Sequence, residues 1–491
     1  MPGASLLIGD LFRRNAAAVP AAPAASLEDR VLSHRELDRA GNRTAHALRA
    51  LGVGHGDRVV VWAETGLDVL AVFVALAKLG AVLAPLSARL GREEAAEVAR
   101  LARARLLLVD ATHAADAAAL TAAAGIPGHA RLDVADSRED DVLEPALRES
   151  DPHVLFFTSG STGRPKGVVL SHRANWLRSF QGVFRDEPEV SVCMFPLFHM
   201  AAFTLALAAW QTRGEIALVH APTPEQLLRA VERRRANRLY AIPLVWARIL
   251  EADTSRFDLS SLRELDTGTS ATPLELVRAL KHRFPWTRTR IYYGSTEAGS
   301  ATTLPDADVL RKPGSVGPAS PGVELRLSEA GEICVKSPFL MDGYFDDPEA
   351  TAAALRDGWY HSGDLGALDA EGYLSIVGRA RDVIRTGGES VSPAEVEAAL
   401  ANAPGVKELA VVGIPDAQWG EVVCAVVVAA PGSAPTLEEL RAHCEGRLAG
   451  FKRPRRLERL DALPRTAATG QVQRTLLVER IVTRTGGSGH G

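Results

Sequence analysis

Short apolar runs alternating with helical segments constrain this chain more than any other feature. Arg58–Trp62, Ala81–Ala84, Leu106–Val109 and Val154–Phe157 are each four or five residues long and almost wholly apolar. Such runs suit strands buried on both faces. Between them, Leu67–Leu79 and Glu93–Ala102 have the length of helices, and Ser33-His34-Arg35-Glu36 is a capping box opening a helix that stops at Gly52. Strand and helix in strict alternation predict a largely parallel, doubly wound α/β sheet. The longest apolar stretch, Val69–Leu86, carries Lys78, Gly80 and Pro85. It therefore reads as a buried helix followed by a strand rather than a membrane span.

At 491 residues the chain exceeds one compact core, so two to four folding units are expected. Its charged fraction is 24% and its net charge −4, which gives no reason to expect nucleic acid or an anionic membrane as the main partner. The apolar start Ser5–Gly9 ends at Asp10, short of a signal peptide. Cys193, Cys334, Cys424 and Cys444 are far apart and form no CxxC pair, so neither a disulfide framework nor a zinc site is expected and the compartment reads as reducing, hence cytoplasmic. Near residue 380 the character changes. The charged segment Gly378–Asp382 leads to Ser392-Pro393-Ala394-Glu395, a second capping box. Strands at Glu408–Val412 and Val422–Val428 and a helix near Leu437–Arg447 follow. The expected architecture is α/β: a large N-terminal region of doubly wound α/β subdomains over residues 1–380, then a small mobile α+β domain over 381–491. Nothing in the sequence sets the oligomeric state.

The segment Thr158-Ser159-Gly160-Ser161-Thr162-Gly163-Arg164-Pro165-Lys166-Gly167 follows a buried strand. Its glycines let backbone N–H groups approach an anion, its hydroxyls add donors, and Lys166 adds charge. This is chemistry for holding a polyphosphate, without the GxxxxGK[ST] spacing of a Walker A loop. By contrast, Gly52-Val53-Gly54-His55-Gly56 follows a helix and reads as a helix stop.

Thr158–Gly167 resembles the phosphate loop of the adenylate-forming superfamily of acyl- and aryl-CoA synthetases, luciferases and adenylation domains. Tyr293-Gly294-Ser295-Thr296-Glu297, Trp359–Asp364 and Gly378-Arg379 match further motifs of that family in its order. The resemblance implies activation of a small-molecule acid by ATP with Mg²⁺, then transfer to CoA or, alternatively, to a carrier protein or an amine. Diazotase-like activation of nitrite is a further alternative. Tyr293 would stack on adenine beside the backbone of Thr269, Ser270 and Ala271, Thr296 would donate to the α-phosphate, and Gly294 and Ser295 would belong to the same ATP/AMP site. Glu297 would hold the metal through hard oxygen, Asp364 would accept the ribose hydroxyls, and Arg379 would fork onto ribose or phosphate. The acid would lie among His199, Phe203, Tyr240, Ile242, Trp246 and Gly294. That segment is apolar apart from His199, which suits a neutral acyl or aryl acid, because an unpaired buried ammonium is costly. His199 is either a gate residue or a packed core histidine. Arg381 falls at the family's hinge, about which the small domain rotates. Gly387 and Gly388 would line the pantetheine channel, and Lys452 would meet CoA phosphates or simply sit on a solvated face.

One position departs from the family. Where it closes on Pro-x-x-x-x-x-Gly-Lys, this chain reads Pro464–Gly470 followed by Gln471. An amide donates hydrogen bonds but does not neutralise charge developing at the α-phosphate, and losing such a donor costs ~10²–10³ in rate. Gln471 is either an introduced replacement or native to a divergent member that leans on Arg465 or Arg474.

Overall fold

The computed structural model describes residues 6–159, 165–180, 187–386, 389–416, 418–445, 447–466 and 470–486. They fall into two compact units, Met1–Glu324 with Val335–Tyr360, and Leu325–Cys334 with His361–Gly491.

The first unit contains the expected doubly wound sheets. In one, Pro152–Ser159, Val82–Leu86, Arg58–Trp62, Leu106–Val109 and His129–Arg131 run parallel in that spatial order, and Pro165–Ser171 and Gly343–Tyr344 extend it antiparallel at one edge. In the other, Arg288–Ser295, Glu264–Gly268, Arg238–Tyr240, Val190–Cys193, Glu215–Leu218 and Pro23–Leu27 run parallel, with antiparallel Gly299–Leu304 and Arg30–Ser33 at the edges. The helix Leu67–Leu79 is apolar all round and touches both Val82–Leu86 and Pro23–Leu27, one strand from each sheet. No helix among the described residues is long and apolar enough to cross a membrane.

Lys78, on that helix, is completely buried, and its ammonium donates to Asp38 Oδ1 (2.7 Å), Asn42 Oδ1 (2.7 Å) and Asp141 Oδ1 (2.9 Å). Three acceptors match the three protons of an ammonium, which is how a charge tolerates burial. The capping box at Ser33 forms as expected, on a helix spanning His34–Ala50.

In the second unit, the long hairpin Val406–Asp416 and Gly420–Ala429 is flanked by Ile384–Thr386, Glu389–Val391 and Arg456–Arg459. One face of the hairpin packs under Val396, Leu400 and Leu440, the other under Leu477 and Ile481. Two sequence expectations need correction. Ser392 does not cap the helix Pro393–Leu400; its hydroxyl donates instead to the carbonyl of Val377 at 2.6 Å. The next helix ends at His443 rather than Arg447, and it opens on an unforeseen capping box, Thr436 with Glu439.

His153 and His172 lie in the first unit with ring centroids 4.5 Å apart. His172 Nδ1 accepts from the Ile8 amide at 3.2 Å and His153 Nδ1 meets Asn175 Nδ2 at 3.0 Å. Burial pushes His172 down to about 4 and His153 well below the ordinary imidazole value. The unfolded chain takes up these protons near pH 6.5, before the folded one does, so the stability they permit is complete above 6.5 and falls on acidification. His172 alone is expected to cost about 2 kcal/mol between pH 6.5 and 5. Urea midpoints measured by tryptophan fluorescence across that range should drop, and His172→Leu should flatten the slope.

Candidate active site

The strands Pro152–Ser159 and Pro165–Ser171 form a hairpin in which Thr158 lies opposite Lys166. Gly160, Ser161, Thr162 and Gly163 lie outside the described residues, as does the side chain of Ser159. Lys166 Nζ sits 4.9 Å from the ring centroid of Tyr344. The Tyr344 hydroxyl donates to Glu297 Oε1 at 3.1 Å, so the base of this hairpin is linked through one aromatic ring to the expected metal ligand.

Glu297 lies between the antiparallel strands Arg288–Ser295 and Gly299–Leu304. The two strands approach so closely that a Cβ on Gly294 would fall 2.0 Å from the Gly299 carbonyl oxygen, so position 294 admits only glycine. The turn is fastened from outside. The Arg178 guanidinium donates to the carbonyls of Thr296 (2.8 Å) and Phe339 (2.7 Å), and the Met341 amide donates to the carbonyl of Glu297 at 2.8 Å. Within the turn, the Ala298 amide donates to Ser295 Oγ at 3.1 Å. Glu297 is only 9% exposed. Arg178 is buried, which pushes its guanidinium down to about 10 against the opposing pull of Asp342 and Glu297. Burial, reinforced by Glu297, raises the Tyr344 phenol, so it stays a proton donor. Sequence reasoning missed Arg178 and Tyr344. A lone arginine in a helix after the loop carries no pattern, although the Met341–Tyr344 segment beside Glu297 in space is part of the same support.

The expected acid-binding residues divide. His199 caps the helix Met200–Gln211, with Nδ1 accepting from the Ala201 amide at 3.2 Å, which assigns its proton to Nε2. Its ring stacks on Phe195 (5.1 Å, 13°), and burial pushes it down to about 4, although part of the residue remains accessible. Phe195 tilts against Tyr240 at 5.3 Å, and Tyr240 against Tyr292 at 6.1 Å. Ile242 is buried beside them in sequence, its amide on the sulfur of Met194. Phe203 and Trp246 are core residues. Phe203 stacks on Phe73 at 4.6 Å, and the Trp246 indole donates to the carbonyl of Asp266 at 2.9 Å. Thr269 has φ +66°, a left-handed setting that is costly for a β-branched side chain, and its hydroxyl donates to the Gly268 carbonyl at 2.5 Å. Ser270 and Ala271 follow it, exposed.

In the second unit, Asp364 and Arg379 are direct cross-strand partners, with Nε to Oδ1 3.1 Å. Arg381 is half-exposed and pairs loosely with Asp382 at 3.5 Å. Lys452 donates to Glu395 at 2.6 Å. Gly387 and Gly388 lie outside the described residues. Gln471 sits on a small backbone frame: its amide donates to Thr466 Oγ1 (3.1 Å), its carbonyl accepts from the Thr466 amide (2.8 Å), and Gly470 turns with φ +67°. The two candidate substitutes are engaged elsewhere. Arg465 holds Glu408 and the Gly470 carbonyl, both at 2.8 Å, and Arg474 holds Glu397 at 2.5 Å.

The family model described as AMP-binding enzyme matches residues 12–345, and that of the AMP-binding enzyme C-terminal domain matches 395–469. The chain belongs to the AMP-binding enzyme family. It is 38% identical to a feruloyl-CoA synthase of an Amycolatopsis species, over 94% of this chain and 97% of that one. It is 32% identical to an indoleacetate–CoA ligase of Aromatoleum aromaticum, over 97% and 99%. Among solved structures, ATP-bound MatB from Rhodopseudomonas palustris superposes with TM-score 0.87 at 30% identity, over 96% and 98% of the two chains. The amide bond synthetase McbA from Marinactinospora thermotolerans does so with 0.86 at 28%, over 96% and 99%. Membership makes the chain an adenylate-forming ligase, and its similarity to acid–CoA ligases implies ATP and CoA as substrates.

Arg178 tests whether the turn's fastening matters to this family's first half-reaction. Arg178→Lys keeps the charge but lacks the fork that reaches two carbonyls. Acid-dependent pyrophosphate release is expected to fall by about 10²-fold, the cost of displacing a reacting group by about 1 Å, while circular dichroism stays unchanged.

Proposed function

We propose that this chain adenylates a neutral acid with a flat, aromatic acyl portion and passes it to CoA. The observation that carries the reading is the aromatic series His199, Phe195, Tyr240 and Tyr292, whose neighbours stack or tilt against one another in a manner suited to another ring. His199, held neutral by burial, adds no charge for a substrate ammonium or carboxylate to pair with. Similarity to ligases named for feruloyl and indoleacetate groups supports the same class.

Thr158, Lys166, Ser295, Thr296 and Glu297 are assigned to the ATP phosphates, with the loop residues Ser159 to Gly163. Tyr293, Gly294 and Thr269 to Ala271 are assigned to adenine, and Asp364 with Arg379 to ribose. Glu297 fits Mg²⁺: it is a hard carboxylate on a turn pinned at Thr296 and Glu297, oriented by a phenol that remains a donor. Bound there, the ion would supply charge for the phosphate oxygens. The residues themselves position: Arg178 sets the turn, Tyr344 sets the carboxylate, and Gly294 brings two strands together. Arg381 is assigned to the hinge, and Gly387, Gly388 and Lys452 to CoA. Transfer to an amine is the second reading, favoured by the likeness to an amide bond synthetase. Running the adenylate onto CoA and onto a panel of amines separates the two.

Glu297→Ala is expected to lower pyrophosphate release with an aryl acid by roughly tenfold or more and to weaken its Mg²⁺ dependence. An unchanged rate removes Glu297 from the metal.

Gln471→Lys restores one preorganised charge on an intact frame. Pyrophosphate release should rise by roughly ten- to a thousand-fold, whereas transfer from supplied acyl-AMP to CoA should barely change. If adenylation is no faster with lysine, glutamine is native to the mechanism.

A further inference from the structure

Beside the ribose-binding motif, three side chains of different chemistry converge on one point. Glu332 and Cys334 lie two residues apart on the strand Glu332–Lys336, hence on one face, and His361 lies on the strand Trp359–Leu368 next to it. His361 Nδ1 is 3.0 Å from Glu332 Oε2 and 3.4 Å from Cys334 Sγ, and all three atoms lie within 4.8 Å of one another. Tetrahedral bonding at ordinary zinc–ligand lengths places an imidazole nitrogen about 3.3 Å from a carboxylate oxygen and about 3.5 Å from a thiolate. The spacing found is close to that without any ion.

Hydrogen bonds also hold the cluster, since the Cys334 thiol donates to the Glu332 main-chain carbonyl at 3.5 Å, but they do not join all three side-chain atoms to one another at once. A single ring nitrogen either donates or accepts, so Nδ1 does not serve the carboxylate as donor and the thiol as acceptor in one protonation state. A cation would take the carboxylate oxygen, the ring nitrogen and the deprotonated sulfur together as ligands. The cluster also has an outer shell. The Gly363 amide donates to the other carboxylate oxygen, Glu332 Oε1, at 2.9 Å, and the Ser362 hydroxyl donates to the Ile333 carbonyl at 2.8 Å, tying the two strands together. Cys334 is fully buried, whereas the side chains of His361 and Glu332 keep 12% and 20% of their surface, which leaves a route for an ion.

We propose that Glu332, Cys334 and His361 form a three-ligand site for a thiophilic divalent cation of the zinc class, with the fourth position open to water. Thiolate and imidazole select such an ion over Mg²⁺, so the site is distinct from the one at Glu297. Binding breaks the S–H bond and forms a metal–sulfur bond. The thiol proton leaves to solvent, and any proton on Nδ1 moves to Nε2, so affinity rises with pH. The sequence hides the site because no two ligands have CxxC or HxxxH spacing, and strand pairing alone unites them. His361 is three residues before Asp364 on the same strand, so an occupied site braces the backbone that presents the ribose carboxylate.

Co²⁺ is the probe, added to full-length chain without an affinity tag and stripped by chelator. One equivalent should bind with thiolate-to-cobalt charge-transfer absorption and the intense visible bands of a four-coordinate ion, and Zn²⁺ should abolish both. Cys334→Ser, nearly isosteric, should lose the charge-transfer band. His361→Gln should weaken binding by more than the about 10–100-fold that loss of an outer partner costs. Absence of the band in the unmodified chain overturns the proposal, and so does the same band in Cys334→Ser. Should that serine variant fail to fold, Glu332→Gln provides the same comparison: unaltered Co²⁺ affinity and spectrum there also overturn the site. None of these readings requires nucleotide or acid, so they stand or fall separately from the assigned reaction.

Discussion

A helix without a polar face sets the terms for the first unit. Leu67–Leu79 has apolar residues on every side, and a helix of that kind must be covered all round. One strand from each parallel sheet meets it, so the same thirteen residues supply packing surface to both sheets. The single cation within it, Lys78, ties in Asp38 and Asn42 from a neighbouring helix and Asp141 from a connecting segment. Lys78 itself is completely buried, so removing its nearer, mostly buried partner Asp38 leaves an uncompensated charge, at about 3–5 kcal/mol, and removing the more exposed Asp141 costs less. The charge therefore fixes which helix and which connection lie against the apolar wedge, while the wedge supplies the burial.

On that base the Glu297 turn is held mainly through its backbone carbonyls and amides, with Ser295 Oγ the one side chain of its own that takes part. Arg178 and the Met341 amide grip Thr296 and Glu297 through main-chain atoms, and Gly294 allows Gly299 to approach. This leaves the Thr296 hydroxyl and the Glu297 carboxylate to be aimed by other groups, as Tyr344 aims Glu297. Sites supported in this way resist drift of the kind that loosens a constellation by an ångström.

Much of this was legible in the sequence. Four apolar runs gave strands in the expected places because parallel strands buried on both faces leave an unbroken hydrophobic signature. The glycines, hydroxyls and lysine of Thr158–Gly167 suggested a phosphate loop by their chemistry, whereas the other site residues could be named only through the family resemblance of their motifs. Supports such as Arg178 and Tyr344 were not legible, since they act across long sequence distances and share no local pattern. Ser392 failed as a cap for a related reason: the pattern Ser-x-x-Glu is local, but the carbonyl of Val377, fifteen residues away, was the better partner. Phe203 and Trp246 were expected near the acid because they lie close in sequence to His199 and Tyr240. Helical periodicity and strand connection instead turn them into the core.

The frame around Gln471 has an evolutionary consequence. Its turn is closed by the amide and carbonyl of residue 471 and by the φ of Gly470, and every one of those contacts is indifferent to which side chain position 471 carries. The main-chain frame at this position is therefore expected to form with either glutamine or lysine. Under the role proposed for position 471, a single codon change there would alter the chemistry it offers while leaving those main-chain contacts in place.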